Sequence, residues 1–181
     1  MAISLLKQQN ADTVGWIEIP GTTISYPVMH TTDNSYYLTH TFSGKTNSSG
    51  CIFVETLNSG DFTDIHTIIY GHNMNNGSMF ASLKNYSSVS YLVAHPTIYI
   101  DLEDGTHAYQ IFSVHTVNSD DEVFTIGFAR DDEYAAFLEM LKESSDYDTG
   151  VSVTTDDDII TLSTCTNSGV DRYVVHAKKL Y

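Results

Sequence analysis

The residues best suited to chemistry are a cysteine and an arginine close together near the end of the chain. Ile159-Ile160-Thr161-Leu162-Ser163-Thr164-Cys165 is apolar and β-branched enough to form a strand, and it ends on the thiol. Thr166-Asn167-Ser168-Gly169 reads as a loop, and Tyr173 to Lys178 as a return strand. Such a hairpin places Cys165 and Arg172 at one rim. A thiolate is the reactive form of cysteine, and a permanent cation beside it favours that form, so the pair suits nucleophilic catalysis. The alternatives are an inert buried cysteine and a surface arginine.

A thiol nucleophile needs a proton-transfer partner, and the chain has eight histidines. His30, His40, His95, His107 and His115 lack metal-type spacing and read as surface or packing residues. His66 begins an apolar strand and His176 lies inside one, which suits structural roles. His72 differs, because it follows the strand Ile65 to Tyr70 through Gly71, where a side chain emerges on a positioned loop. Cys51, in Gly50-Cys51-Ile52-Phe53, has no basic neighbour and reads as structural. Asp156-Asp157-Asp158 lacks the alternating ligands and glycine of a calcium loop and reads as a solvated turn.

Those residues must be positioned by a fold, and the bulk composition limits which. A chain of 181 residues suits one domain with a real core. Eight basic against 23 acidic residues give a net charge of -15, which argues against nucleic acid or an anionic lipid surface as partner. No apolar run reaches membrane-spanning length and no signal peptide is evident, which is compatible with a cytosolic protein or with the soluble part of something longer. Two cysteines permit one disulfide but do not make a disulfide framework.

Taken in order, the pattern predicts a short helix over Ile3 to Gln9, then strands over Val14 to Ile19 and Thr23 to Val28. A capped helical turn spans Asp33 to Leu38, and short strands follow over Cys51 to Val54 and Ile65 to Tyr70. Met79, Phe80, Leu83 and Tyr86 recur at helical spacing within Ser78 to Tyr86. Thr97 to Leu102 and Thr106 to Val114 flank Glu103-Asp104-Gly105 as a hairpin. Asp131 to Glu143 places Tyr134, Phe137, Leu138 and Leu141 on one face of an amphipathic helix. Many short strands with a few helices predict a mainly β protein built on a closed or nearly closed barrel.

Several of these stretches together resemble class B sortases, the cysteine transpeptidases of Gram-positive cell surfaces. Thr161-Leu162-Ser163-Thr164-Cys165 with Arg172 downstream resembles the catalytic signature. Val14-Gly15-Trp16-Ile17-Glu18-Ile19-Pro20-Gly21-Thr22, Tyr26-Pro27-Val28, Asn34-Ser35-Tyr36-Tyr37-Leu38 and Gly50-Cys51-Ile52-Phe53 add to it. Ile69-Tyr70-Gly71-His72-Asn73-Met74, Met79-Phe80 and Arg172-Tyr173-Val174-Val175-His176-Ala177-Lys178 extend it, so the likeness runs from about Val14 to Lys178. One departure stands out: many class B members carry an acidic residue directly after the cysteine, where this chain has Thr166.

The resemblance implies the closed sortase β-barrel, with an N-terminal helical segment at 1–13, a catalytic domain at 14–181, and a helix in the connection before the cysteine strand. It implies that Cys165 attacks a threonine carbonyl in the C-terminal sorting signal of a secreted protein, forming a thioester. His72 would protonate the departing amine and deprotonate the incoming one, and the competent state would be a thiolate–imidazolium pair. Arg172 would hydrogen-bond the oxyanion, and Ser163 and Thr164 would contact substrate. No metal or organic cofactor is implied. The partners implied are the sorting-signal peptide and an amine acceptor, either a peptidoglycan precursor or a pilin lysine. The family's N-terminal membrane anchor is not seen in this sequence, so the resemblance implies a trimmed domain from the extracytoplasmic face. A cysteine peptidase that releases its acyl-enzyme to water, and a non-catalytic binding module of the same shape, are the rival readings.

Overall fold

The strands form where the sequence alternates between two apolar surfaces. In Ile159–Cys165, Ile160 and Leu162 join an inner cluster with Ile69, Val175 and Ala177, while Ile159 joins an outer cluster with Phe112 and Val174. Both faces of this strand are covered, so all seven of its residues are buried and the run looks continuously apolar rather than alternating.

The computed structural model describes residues 2–165 and 171–181. The loop expected over Thr166 to Gly169, Thr166 included, lies outside them. The strands are β1 (Thr13–Glu18), β2 (Ser25–Met29), β3 (Ile52–Val54), β4 (His66–His72), β5 (Thr97–Leu102), β6 (Gly105–Asn118), β7 (Ile159–Cys165) and β8 (Asp171–Lys179). They close into a barrel, as the sequence predicts, in the order β1-β2-β3-β4-β7-β8-β6-β5. Most neighbours are antiparallel, but β2–β3 and β4–β7 are parallel. The helices are α1 (Ile3–Gln9), α2 (Tyr36–Thr39), α3 (Val89–Ala94) and α4 (Asp132–Ser144).

Three details differ from the sequence-based expectations. The strand expected to end at Tyr70 continues through Gly71 to His72, so His72 stands on a strand rather than on a loop. Gly71 is required there because a Cβ would come within 2.7 Å of the Phe80 ring packed over it. The segment Ser78 to Tyr86 forms a 3₁₀ helix over Ala81–Ser87, and α3 follows it unanticipated. The second hairpin strand runs on to Asn118, because its far half pairs with β8 over Val117↔Arg172 and Asn118↔Asp171.

The connection between β6 and β7 carries α4. Asp131 caps it by accepting from the Tyr134 amide, and Tyr134, Phe137, Leu138 and Leu141 are buried against the outer surface of the barrel. One part of that surface lies beneath α4, and the part towards β3 is an open cleft.

Candidate active site

Strand pairing brings the nucleophile and base candidates together. β4 and β7 run parallel with His72 directly opposite Cys165, and the Asn73 amide donates to the Cys165 carbonyl at 3.2 Å. Side chains of directly paired residues lie on the same face, so the imidazole and thiol share the outer surface at the C-terminal ends of two strands. On the other side of β7, Ser163 pairs with Val174 of antiparallel β8, and two further steps along each strand reach Cys165 and Arg172. Arg172 Nη1 donates to the Thr164 carbonyl at 3.4 Å, which ties the guanidinium to the end of β7.

Cys165 and Arg172 line one cleft of about 240 Å³ together with Asn34, Leu38, Phe53, Tyr70, Ser119 and Phe124. Three regions build its walls. Asn34 precedes α2 and Leu38 lies within it, Phe53 and Tyr70 face each other across the paired strands β3 and β4, and Ser119 and Phe124 come from the β6–β7 connection. The lining is aromatic and aliphatic at the sides with a thiol, a cation and an amide at defined places, which suits an extended peptide.

His72 is nearly inaccessible at 3% exposure, and its Nε2 lies 2.6 Å from the Leu38 carbonyl at the end of α2. A carbonyl can only accept, so Nε2 carries a proton, and Nδ1 is the nitrogen left to exchange one with the thiol. A backbone carbonyl thereby sets the tautomer that a carboxylate sets in many hydrolases. Burial pushes the Cys165 thiol up to about 11, and Arg172 pulls it down by less. The resting group is therefore a thiol. The neighbouring cation favours the thiolate, as the sequence suggests, but burial outweighs it.

Ser163 and Thr164 are both buried and engaged with the protein. The Ser163 hydroxyl donates to the Thr164 carbonyl at 3.2 Å, and Thr164 Oγ1 accepts the Tyr173 amide at 2.9 Å. Neither is among the residues lining the cleft. Cys51 packs with Met29, Tyr37 and Phe53, and burial pushes its thiol up to about 11. Both cysteines are free thiols. Asp158 pairs with Arg130 at 2.5 Å, and Asp157 accepts the Thr154 amide, so that acidic turn is held by protein partners.

The sequence did not single out Asn34, Tyr70, Phe124 or Ser119 as site residues. For Asn34 and Tyr70 a signal existed in the stretches that carry the family resemblance. Ser119 and Phe124 offered none, because their place depends on how the β6–β7 connection folds back over the barrel.

Comparison with known proteins agrees with this geometry. The family model of the sortase domain matches residues 17–180. The Sortase B of Listeria monocytogenes is 39% identical over 160 residues, covering 88% of this chain and 65% of that protein, so the chain spans just under two thirds of this relative's length. A Staphylococcus aureus sortase B–substrate complex superposes with a TM-score of 0.94 at 33% identity, covering 98% of this chain and 84% of that one. A sortase B complexed with triglycine superposes with the same figures. The chain belongs to the sortase family and, within it, to the class B sortases.

Proposed function

We propose that this chain is a cysteine transpeptidase that cleaves a sorting signal after threonine and transfers the acyl group to an amine. The observation that carries the reading is the placement of His72 beside Cys165 on paired strands, with Arg172 in the same cleft. A binding module has no need of that combination. Residues 14–181 are assigned to the catalytic domain, with the segment 1–13 leading into it.

In the first half-reaction the Cys165 sulfur attacks the threonine carbonyl carbon. The thiol proton passes to His72 Nδ1 as the S–C bond forms, because a thiol held near 11 is not ionised beforehand at neutral pH. The carbonyl oxygen becomes an oxyanion and takes hydrogen bonds from the Arg172 guanidinium, whose fixed donors suit that geometry. His72 then returns the proton to the departing amine nitrogen, the C–N bond breaks, and a thioester on Cys165 is left. In the second half-reaction an incoming amine attacks the thioester carbon, gives its proton to His72, and expels the sulfur, which takes that proton back from His72. Every bond made is matched by one broken, and the enzyme regains its starting state.

Thr164 contributes by anchoring the start of β8 and the Arg172 head group, which its buried side chain and carbonyl already hold. Ser163, two residues before the nucleophile on the same face of β7, is fully buried and supports the strand rather than touching substrate. The acceptor is a primary amine, and the sortase B complexed with triglycine supports an N-terminal glycine of a cell-wall bridge over a pilin lysine. The substrate side is supported by the sortase B–substrate complex. The reaction is placed at the extracytoplasmic face of the cell. Among the described residues no helix is long and apolar enough to cross a membrane.

The test is mass spectrometry of the products after incubation with a panel of threonine-containing sorting peptides and either triglycine or a lysine peptide, beside Cys165→Ala. Peptide–triglycine ligation that disappears in the variant is the expected result. Preference for the lysine peptide would reassign the acceptor, and cleavage indifferent to any amine would make the chain a hydrolase.

A further inference from the structure

Behind two lining residues of the cleft lies a carboxylate that does not itself line it. Glu55 follows β3, is half-buried, and accepts from three directions. Asn34 Nδ2 donates to its two carboxylate oxygens at 2.8 and 2.9 Å, the Tyr70 hydroxyl donates to Oε2 at 3.0 Å, and the Leu57 amide approaches Oε1 at 3.3 Å. The other end of the Asn34 amide is fixed as well, since its Oδ1 accepts the Thr56 amide at 2.8 Å. Asn34 and Tyr70 both line the cleft that holds Cys165 and Arg172.

An ionised carboxylate can only accept. Its presence therefore decides the orientation of both partners. Asn34 must turn its NH₂ towards Glu55 and its oxygen towards the Thr56 amide. Tyr70 must spend its proton on Glu55, so its oxygen is left to the cleft as an acceptor. Burial, and then the Glu55 charge, raises the Tyr70 phenol above its ordinary range, which keeps that proton in place. The wall thus presents a fixed pattern: the Tyr70 oxygen is left as an acceptor, and Asn34, which shares one N–H between the two Glu55 oxygens, keeps its other N–H as a donor.

We propose that Glu55 is a positioning residue that fixes the donor and acceptor polarity of Asn34 and Tyr70, and through them the register of the bound peptide. This rests on the peptide-cleaving reading above. The matching ligand is an extended peptide that offers an N–H towards Tyr70 and a carbonyl towards Asn34. Glu55 acts on binding rather than on the chemical steps, because it reaches the reacting atoms only through its partners.

Two measurements on the whole chain test this. The first is NMR of the chain carrying 13C at the tyrosine Cζ, with the Tyr70 signal assigned by Tyr70→Phe. Glu55→Ala should shift the Tyr70 signal whether or not any peptide is turned over, and an unmoved signal overturns the proposal. The second is steady-state ligation with the best peptide. Glu55→Ala should raise the peptide KM by about tenfold, the scale of a lost charge-assisted hydrogen bond, with kcat within about twofold. In an Asn34→Ala/Tyr70→Phe background the same change should alter KM by less than about twofold, since its route to the substrate is already removed. An equal KM effect in both backgrounds, or a loss confined to kcat, overturns the proposal. Failure of the parent chain to give any Cys165-dependent product overturns the functional reading instead, and the Tyr70 signal still decides whether Glu55 sets the polarity of the wall.

Discussion

His66 and His72 stand six residues apart on β4, on the same outer face, each opposite a residue of β7, yet they are built for opposite ends. His66 Nδ1 lies 2.7 Å from the Thr125 carbonyl and its Nε2 lies 2.7 Å from Thr161 Oγ1. Thr161 in turn meets His176 Nδ1 at 2.7 Å, and His176 Nε2 meets His115 Nε2 at 2.9 Å. The Thr125 carbonyl can only accept, and with the rings neutral this fixes every proton in the series. His115 donates to His176, His176 to Thr161, Thr161 to His66, and His66 to the carbonyl. Both nitrogens of His66 are thereby committed, under the cover of the connection that carries α4. His72 has one nitrogen committed to Leu38 and stands beside the thiol next to an open cleft. The same residue type on the same strand is scaffold where both ring nitrogens are satisfied, and a candidate base where one is left.

Breaking the pair apart should give different readouts. His72→Gln should cut ligation by about 10³-fold, the scale of a lost general acid–base, with little change in melting temperature; the check is ligation rate beside calorimetry. His66→Leu should do the reverse. It leaves the Thr125 carbonyl and the Thr161 hydroxyl without their partner and should cost about 2–4 kcal/mol in urea unfolding, while ligation per folded molecule stays within a few-fold.

The buried series also predicts how stability follows pH. Burial pushes His66 down to about 4 and also lowers His176 and His115, for His176 with the neighbouring histidines adding to it, while Asp121 and Asp146 oppose the shift at His115. The folded state thus holds these rings neutral, and the unfolded chain protonates first as the pH drops. Their contribution is complete above about 6.5 and is lost on descending towards 4, with His66 alone worth roughly 3 kcal/mol across that window. Urea midpoints at a series of pH values should fall accordingly in the parent chain and less steeply in His66→Leu. Thr161→Val, which removes the central hydroxyl and keeps the shape, should cost about 1–3 kcal/mol by the same assay. Cys51→Ala should be the mildest change, near 1 kcal/mol with ligation unaltered, if the second thiol only packs.

The sequence carried much of this comparison. The strand ending in Cys165, the return strand with Arg172, the glycine before His72 and the amphipathic helix over Asp131 to Glu143 all follow from local patterns. The structural reading of His66 and His176 followed from their places in apolar strands. The hydrogen-bonded series itself was hidden, because its members come from β4, β7, β8 and β6 and meet only through the parallel β4–β7 pairing and the long β6–β8 ladder. The Glu55 cluster was hidden for the same reason, since Asn34 and Glu55 are 21 residues apart and local spacing says nothing of their meeting. The thiol's resting state could not be read either, because it depends on how deeply Cys165 is buried.

Acyl transfer through Cys165 is tested by the intact mass of the chain mixed with a threonine-containing sorting peptide, first without and then with triglycine. A mass gain equal to the acyl fragment on Cys165, absent in Cys165→Ala and discharged when the amine is added, is the expected result. Peptide cleavage with no covalent adduct, or an adduct of equal yield in Cys165→Ala, would contradict it.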